Sequence, residues 1–198
     1  MTEAGLLVVL AGPSGVGKGS VHRRLRALES DIELSVSVTT RAPRPREVDG
    51  RDYHFVDGAT FEQMVAEGRL LEWAEYAGNR YGTPRREVEE AVAAGRVVLL
   101  EIEVQGALQV MERAPQALTV FLVPPSLEEL TRRLRDRATE DEATVARRLE
   151  TAERELAHRG DFDHVVVNDD LETCVDEVRA LIADARRRAR SDAHGAHG

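Results

Sequence analysis

The chain is 198 residues long, 42% hydrophobic and 32% charged with few aromatics, enough for one domain with a sizeable core and at most a small inserted lobe. Its 27 basic and 36 acidic residues leave a net charge of −9, which argues against generic nucleic-acid or membrane-surface binding and makes any basic cluster a local site. No apolar run approaches the roughly 18 residues that span a bilayer, no signal-peptide pattern opens the chain, and the single cysteine excludes an internal disulfide, so a reducing, cytoplasmic setting is expected.

In chain order, LLVVLA (6–11) is an unbroken apolar run, as expected of a central parallel strand buried on both faces. GPSGVGKGS (12–20) follows, and Lys18–Leu28 reads as a helix. Between 34 and 83 the character changes to a small mixed lobe. SVSVTT and YHFV alternate, Thr60 with Gln63 is positioned to cap a short helix, and LLEWAEY leads to a turn at Gly78-Asn79. Thr83-Pro84 then opens a helix with Pro at its first position, and Gly95 closes it.

VVLLEI (97–102), LTVFLV (118–123) and HVVVN (164–168) are further core strands, with helices at 107–113, 127–137 and 171–189. Cys174, in the last of these, reads as packing. Ser126 and Glu129 form a capping box. ATEDEATVARR (138–148) is charged and nearly devoid of large apolar side chains, the pattern of a mobile lid. The end of the chain, 191–198, reads as a disordered tail whose His194 and His197 are solvated. This alternation implies an α/β fold of three layers with a mainly parallel central sheet. The core takes 4–33 and 84–190, with an inserted mixed α/β lobe at 34–83 and a short lid.

The spacing Gly12-x4-Gly17-Lys18, between a buried strand and a helix, is that of a phosphate-gripping P-loop. Glycines let backbone N–H groups converge on phosphates, the helix N-terminus adds positive potential, and Lys18 supplies a mobile cation. The candidate nucleotide-binding residues are therefore Gly12, Pro13, Ser14, Gly15, Val16, Gly17, Lys18, Gly19 and Ser20. Gly19 stands where Ser or Thr is usual. SGVGKG followed by a hydroxyl residue resembles the nucleoside monophosphate kinases, in which that Gly is a normal variant, and Ser20 then offers the hydroxyl toward Mg2+.

Arg41, Arg44, Arg46 and Arg51 crowd one segment of an acidic chain, with Tyr53 and Tyr81 nearby, a set suited to a phosphate dianion. The string TTRAPRPREVDGRDYHF, then EWAEYAGNRYGTP, LLEIEVQGA, PPS and VVNDDL, closely resembles guanylate kinase from residue 6 to about 170. The resemblance implies that Arg41, Arg44, Tyr53 and Tyr81 hold the phosphate of an acceptor GMP or dGMP. It implies that Ser37, Glu72, Thr83 and the acid at 103 read the guanine edge, and that Asn168 lies near the adenine of ATP. Arg137 and Arg148 would reach the transferring phosphates, with Arg133 and Arg147 as near alternatives and surface salt bridges as the plainer reading.

Independently, guanine presents N1–H and the 2-amino group as adjacent donors, and one carboxylate accepts both. Adenine does not, so a carboxylate such as Glu72 rejects it. Glu103 departs from the usual Asp. Glu101 and Glu103 both end a strand beside the loop, where acids orient Mg2+, and which serves metal and which serves base stays open. The expected reaction is ATP + GMP = ADP + GDP. The rivals are a P-loop kinase of a phosphorylated sugar, a non-catalytic guanylate-kinase-like interaction module, and an NTPase switch.

Overall fold

The computed structural model describes residues 4–76, 78–136 and 142–195, with side chains to 191. Its main sheet takes the strands β1 (Leu6–Ala11), β2 (Ile32–Leu34), β7 (Val97–Glu101), β8 (Leu118–Val123) and β9 (His164–Val167), in the order β2-β7-β1-β8-β9. Every pairing in it is parallel. The helices around it are α1 (Lys18–Leu28), α3 (Arg85–Ala93), α4 (Val104–Arg113), α5 (Leu127–Asp136), α6 (Glu142–Leu156) and α7 (Leu171–Gly195). Because side chains alternate across a strand, β1 divides its run between two cores. Leu6, Val8 and Leu10 pack with Val21 and Leu25 of α1 and Val175 and Val178 of α7. Leu7, Val9 and Ala11 pack with Val88 of α3 and Val104, Ala107 and Val110 of α4. Hence three layers.

The chain fills one side of β1 with β2 and β7 and then crosses to β8 and β9 on the other, so it reverses its winding beside β1, and the crevice at the strands' C-terminal ends is where such sheets bind ligands. Leu130, Leu134, Val145 and Ala152 form a smaller core between α5 and α6.

The inserted lobe has its own mixed sheet, ordered β4-β3-β6-β5, from β3 (Val38–Thr39), β4 (His54–Phe55), β5 (Leu70–Tyr76) and β6 (Asn79–Pro84). Helix α2 (Gly58–Ala66) buries Phe61 against Val38 and Leu70 beneath it.

Several boundaries differ from the sequence reading. Helix α2 is capped by Asp57, whose carboxylate accepts the Thr60 N–H at 2.7 Å; a charged acceptor outcompetes the Thr60–Gln63 box. Pro84 ends β6 and stands just outside α3. The Ser126 hydroxyl does accept the Glu129 N–H at 3.1 Å, but the Glu129 carboxylate bonds Arg132 and Arg133, which hold its pKa down to about 2. The lid is the larger correction. From Glu142 onward it is the start of α6, with Val145 buried. The apolar stripe Val145–Leu149–Ala152–Leu156 has helical spacing but shows only when read past 148. Residues 137–141, and Arg137 with them, lie outside the described residues. Helix α7 runs on to Gly195, into the segment read as tail, since Ala and Arg favour helix and no Pro intervenes. Cys174 is fully buried, and burial raises its thiol to about 11. Among the described residues no helix is long and apolar enough to cross a membrane.

Phe121 is wholly buried and meets Phe162 edge-on at 4.9 Å. Phe121→Ala should cost about 3–5 kcal/mol, read as a lower denaturant midpoint with unchanged slope.

Candidate active site

The C-terminal end of β1 turns through residues 12–17 into α1. Gly17 caps the helix at φ 103 with no side-chain hydrogen bond, leaving its first turn open to an anion. A Cβ on Gly17 would stand 2.5 Å from Asn168 Nδ2. Asn168 is buried, donates from that amide to the Val16 carbonyl at 2.7 Å, and accepts Arg133 Nη1 on its own carbonyl at 2.9 Å. It braces the loop from behind, and so does Arg133. Lys18 is 8% exposed and folds back to donate to the Gly12 carbonyl at 2.6 Å, with Glu103 Oε1 at 3.4 Å.

The place usual for Ser or Thr is occupied from elsewhere. A Cβ on Gly19 would lie 3.3 Å from Glu101 Oε1 and 3.5 Å from Arg23 Nη1. Glyless crowding there would push the Glu101 carboxylate away, and that carboxylate also meets His22 Nδ1 at 3.3 Å. Ser20 Oγ accepts Arg23 Nη2 at 3.2 Å. From the lid side, Arg148 Nη2 donates to Ser14 Oγ at 2.7 Å, whereas Arg147 is turned to Thr144.

In the lobe, the Arg41 guanidinium lies 5.3 Å from the centre of the Tyr53 ring, and the Tyr53 and Tyr81 rings are 6.0 Å apart. Glu47 grips Arg41 with both carboxylate oxygens at 2.9 and 3.0 Å and accepts the Arg44 backbone N–H at 2.7 Å. Arg41 is pushed upward, first by Glu47 and then by Tyr81; Glu47 is lowered by Arg41 and by the Arg44 N–H. The Arg44 side chain is exposed nearby. A cavity of about 250 Å³ between lobe and sheet is lined by Ser37, Tyr53, Thr83, Glu101 and Ile102 among others.

Glu72 is 5% exposed, and the wholly buried Thr83 hydroxyl donates to its Oε1 at 2.6 Å. Burial raises its pKa; the Thr83 bond and the charge of Arg113 pull it back. The surface-acid reading of LLEWAEY does not hold. Beneath it, α4 carries Gly106, where a Cβ would stand 2.6 Å from Glu72 Oε2. Gln109 of α4 bonds both Trp73 backbone groups, and Arg113 donates to the Leu71 carbonyl at 2.8 Å.

These features meet in one family. A family model described as guanylate kinase matches residues 5–185. The chain belongs to the guanylate kinase family. The guanylate kinase of Thermobifida fusca is 56% identical over 177 residues, covering 89% of this chain and 90% of that one. That of Desulfitobacterium hafniense is 47% identical over 186 residues, covering 94% and 93%. A solved structure of guanylate kinase from Anaplasma phagocytophilum superposes with a TM-score of 0.72 at 36% identity, over 94% of this chain and 88% of that one. A gluconokinase from Sinorhizobium meliloti, 19% identical with a TM-score of 0.53 over 97% of this chain and 99% of its own, is a likeness of fold alone. The sugar-phosphate kinase and the interaction module are not favoured.

Within this guanylate kinase family member, the expected guanine readers divide. Ser37 and Thr83 line the cavity and Glu72 lies behind Thr83, but Glu103 is on Lys18, and the acids bordering the cavity are Glu101 and Asp52. Glu103 stands at the N-terminus of α4 without a side-chain cap bond, its carboxylate turned to Lys18. Sequence reasoning missed Glu47, although it stands within the TTRAPRPRE string, and missed Gln109, Arg113 and His22, which no spacing marks.

Gly106→Ala should raise the GMP Michaelis constant about tenfold by displacing the Glu72 oxygen, and should lower the melting temperature, because the added methyl would stand 2.6 Å from a buried carboxylate held by Thr83. The pH response follows from burial. Because the folded-state pKa of Glu72 is raised, the native protein holds that proton longer than the unfolded chain. Stability therefore falls as pH rises from the ordinary carboxylate range through the raised value. Glu72→Gln should flatten that fall in a melting series and weaken GMP binding about 10- to 100-fold.

Proposed function

We propose that this protein phosphorylates GMP, and dGMP, at the expense of ATP, giving GDP or dGDP and ADP, as part of cytoplasmic purine nucleotide metabolism. The observation that carries the reading is the Glu72–Thr83 pair. A carboxylate buried on the acceptor lobe and oriented by a hydroxyl suits the paired N–H donors of guanine, and it stands apart from the loop that takes ATP.

Arg41, Arg44, Tyr53 and Tyr81 hold the GMP phosphate. Glu47 and the Tyr53 ring keep Arg41 in place before substrate arrives, so little rotamer entropy remains to be lost on binding. The attacking phosphate oxygen is already anionic, and no general base is required. The obstacle is repulsion between two polyanions. Lys18, the loop N–H groups and Arg148 stabilise the charge on the transferring group, and holding donor and acceptor in line supplies much of the rest.

Mg2+ completes this reading, neutralising donor phosphates when bound. Such an ion needs only one or two protein oxygens beside phosphate and water, which fits the Ser20 hydroxyl and the Glu101 carboxylate at the first turn of α1. The described residues hold no cluster of three or more His, Cys, Asp or Glu that could hold a metal ion. Gly19 belongs to the same arrangement, since it leaves Glu101 its approach.

The test is ADP formation from ATP and Mg2+ with GMP, AMP, CMP or UMP offered separately, beside a no-acceptor control. Turnover only with GMP is expected, and Lys18→Met should lower kcat about 100-fold or more. Turnover with none of the four, in folded protein that binds ATP, would overturn the reading.

A further inference from the structure

At the start of β5 the side chains break the alternation of a strand. Leu70 and Trp73 both belong to the cluster around Phe61 of α2. Leu71 joins the core with Val104, Ala107 and Val110 of α4, and Glu72 faces Gly106 of that same helix. Two successive residues on one face are out of step with a period of two. The pairing with β6 shows where the step is lost. Leu70 lies opposite Pro84 and Glu72 opposite Thr83, so β5 has one residue more than its partner, and Leu71 is a bulge. In a regular strand Glu72 would share the face of Leu70 and turn into the cluster around Phe61.

A bulge disrupts the ladder of its strand, and β5 is also the edge of the lobe's sheet. Helix α4 supplies partners there. Arg113 Nη1 donates to the carbonyl of Leu71, the extra residue, at 2.8 Å and to that of Leu70 at 3.4 Å. Gln109 takes both backbone groups of Trp73 as a neighbouring strand would. Its amide donates to the carbonyl at 2.7 Å, and its oxygen accepts the N–H at 3.3 Å. Gly106, Gln109 and Arg113 recur at helical spacing on one face of α4, and their contacts fall on Glu72 and on both its neighbours. Thr83 fixes one carboxylate oxygen at 2.6 Å from β6. The backbone that aims the carboxylate is held from α4.

We propose that Gln109 and Arg113 determine base selectivity: by holding the bulge at Leu71 they set the direction of the Glu72 carboxylate, and with it the capacity to take two donors from one base edge. The inference rests on Glu72 being the group that meets guanine. Both are positioning residues, acting through the β5 backbone. A carboxylate that takes two N–H groups together must be aligned with both, whereas a single N–H tolerates rotation. Loosening the bulge therefore weakens guanine, which offers N1–H and the 2-amino group, more than hypoxanthine, which offers N1–H alone. Phosphate binding at Arg41 and ATP binding at the loop do not pass through this backbone.

The experiment compares the full chain with its Gln109→Met variant, which keeps the length of the side chain and removes both bonds to Trp73. GMP and IMP are titrated at equilibrium, and kcat and the Michaelis constants for GMP and ATP are measured beside them. GMP should bind about tenfold more weakly in the variant, the size of one hydrogen bond lost, while IMP changes less than about twofold. The preference for GMP over IMP therefore falls. The loss should lie in the Michaelis constant for GMP, with kcat and the constant for ATP held. Arg113→Met should act in the same direction and serves if the first variant does not fold. Arg113→Lys, which keeps a donor for the Leu71 carbonyl, should recover most of the preference. An unchanged preference in a variant that melts as a folded protein would overturn the proposal. So would an equal loss for GMP and IMP, the mark of a lobe loosened as a whole. A Glu72→Gln variant that keeps the wild-type preference would instead remove the assignment of Glu72 to guanine, and this inference with it.

Discussion

The site depends on a single backbone condition: the loop between β1 and α1 must turn sharply, at positive φ, in a space that other elements already fill. That is why Gly17 adopts a left-handed conformation where Asn168 leaves no room for a Cβ. A loop so shaped is not stable by itself. Asn168 just past β9 and Arg133 on α5 hold its Val16 carbonyl from behind, and Arg148 on α6 holds Ser14 from the front. Three elements distant in sequence thus maintain one turn. Each also forms part of the core, so the loop is as firm as the sheet it leaves.

Helix α4 is the mechanical link between the two halves. Its cap, Glu103, lies on Lys18, while Gly106, Gln109 and Arg113 fit against β5 of the acceptor lobe. The closeness of Gly106 lets a carboxylate sit buried between helix and strand. Without the Thr83 hydroxyl and the nearby Arg113 that charge would be costly. The loop after β1 and the inserted lobe are therefore joined through one helix.

Charge is managed by pairing. Lys18 lies on Glu103, Arg41 on Glu47, and His22 on Glu101. Each acid aims a donor or fills the first turn of α1, so groups that must meet a polyanion are ordered in advance.

The sequence by itself determined the layered α/β core, the phosphate loop and the composition of the acceptor lobe. Those rest on local signals: unbroken apolar strands, glycines at fixed spacing, arginines and tyrosines in one short segment. It also singled out Glu72 and Thr83 through their resemblance, although alternation alone pointed Glu72 outward. The tertiary structure decided which way that carboxylate faces, because only the docking of α4 on β5 covers it. It likewise separated Glu101 from Glu103, which adjoin in sequence but diverge where the strand ends and the helix begins. It showed that the second part of the lid is helix, since the stripe from Val145 to Leu156 extends past the charged segment that masked it. Gln109 and His22 carry no local mark. A polar side chain on a helix looks like a solvated one until the element packed against it is known, and that element comes from elsewhere in the chain.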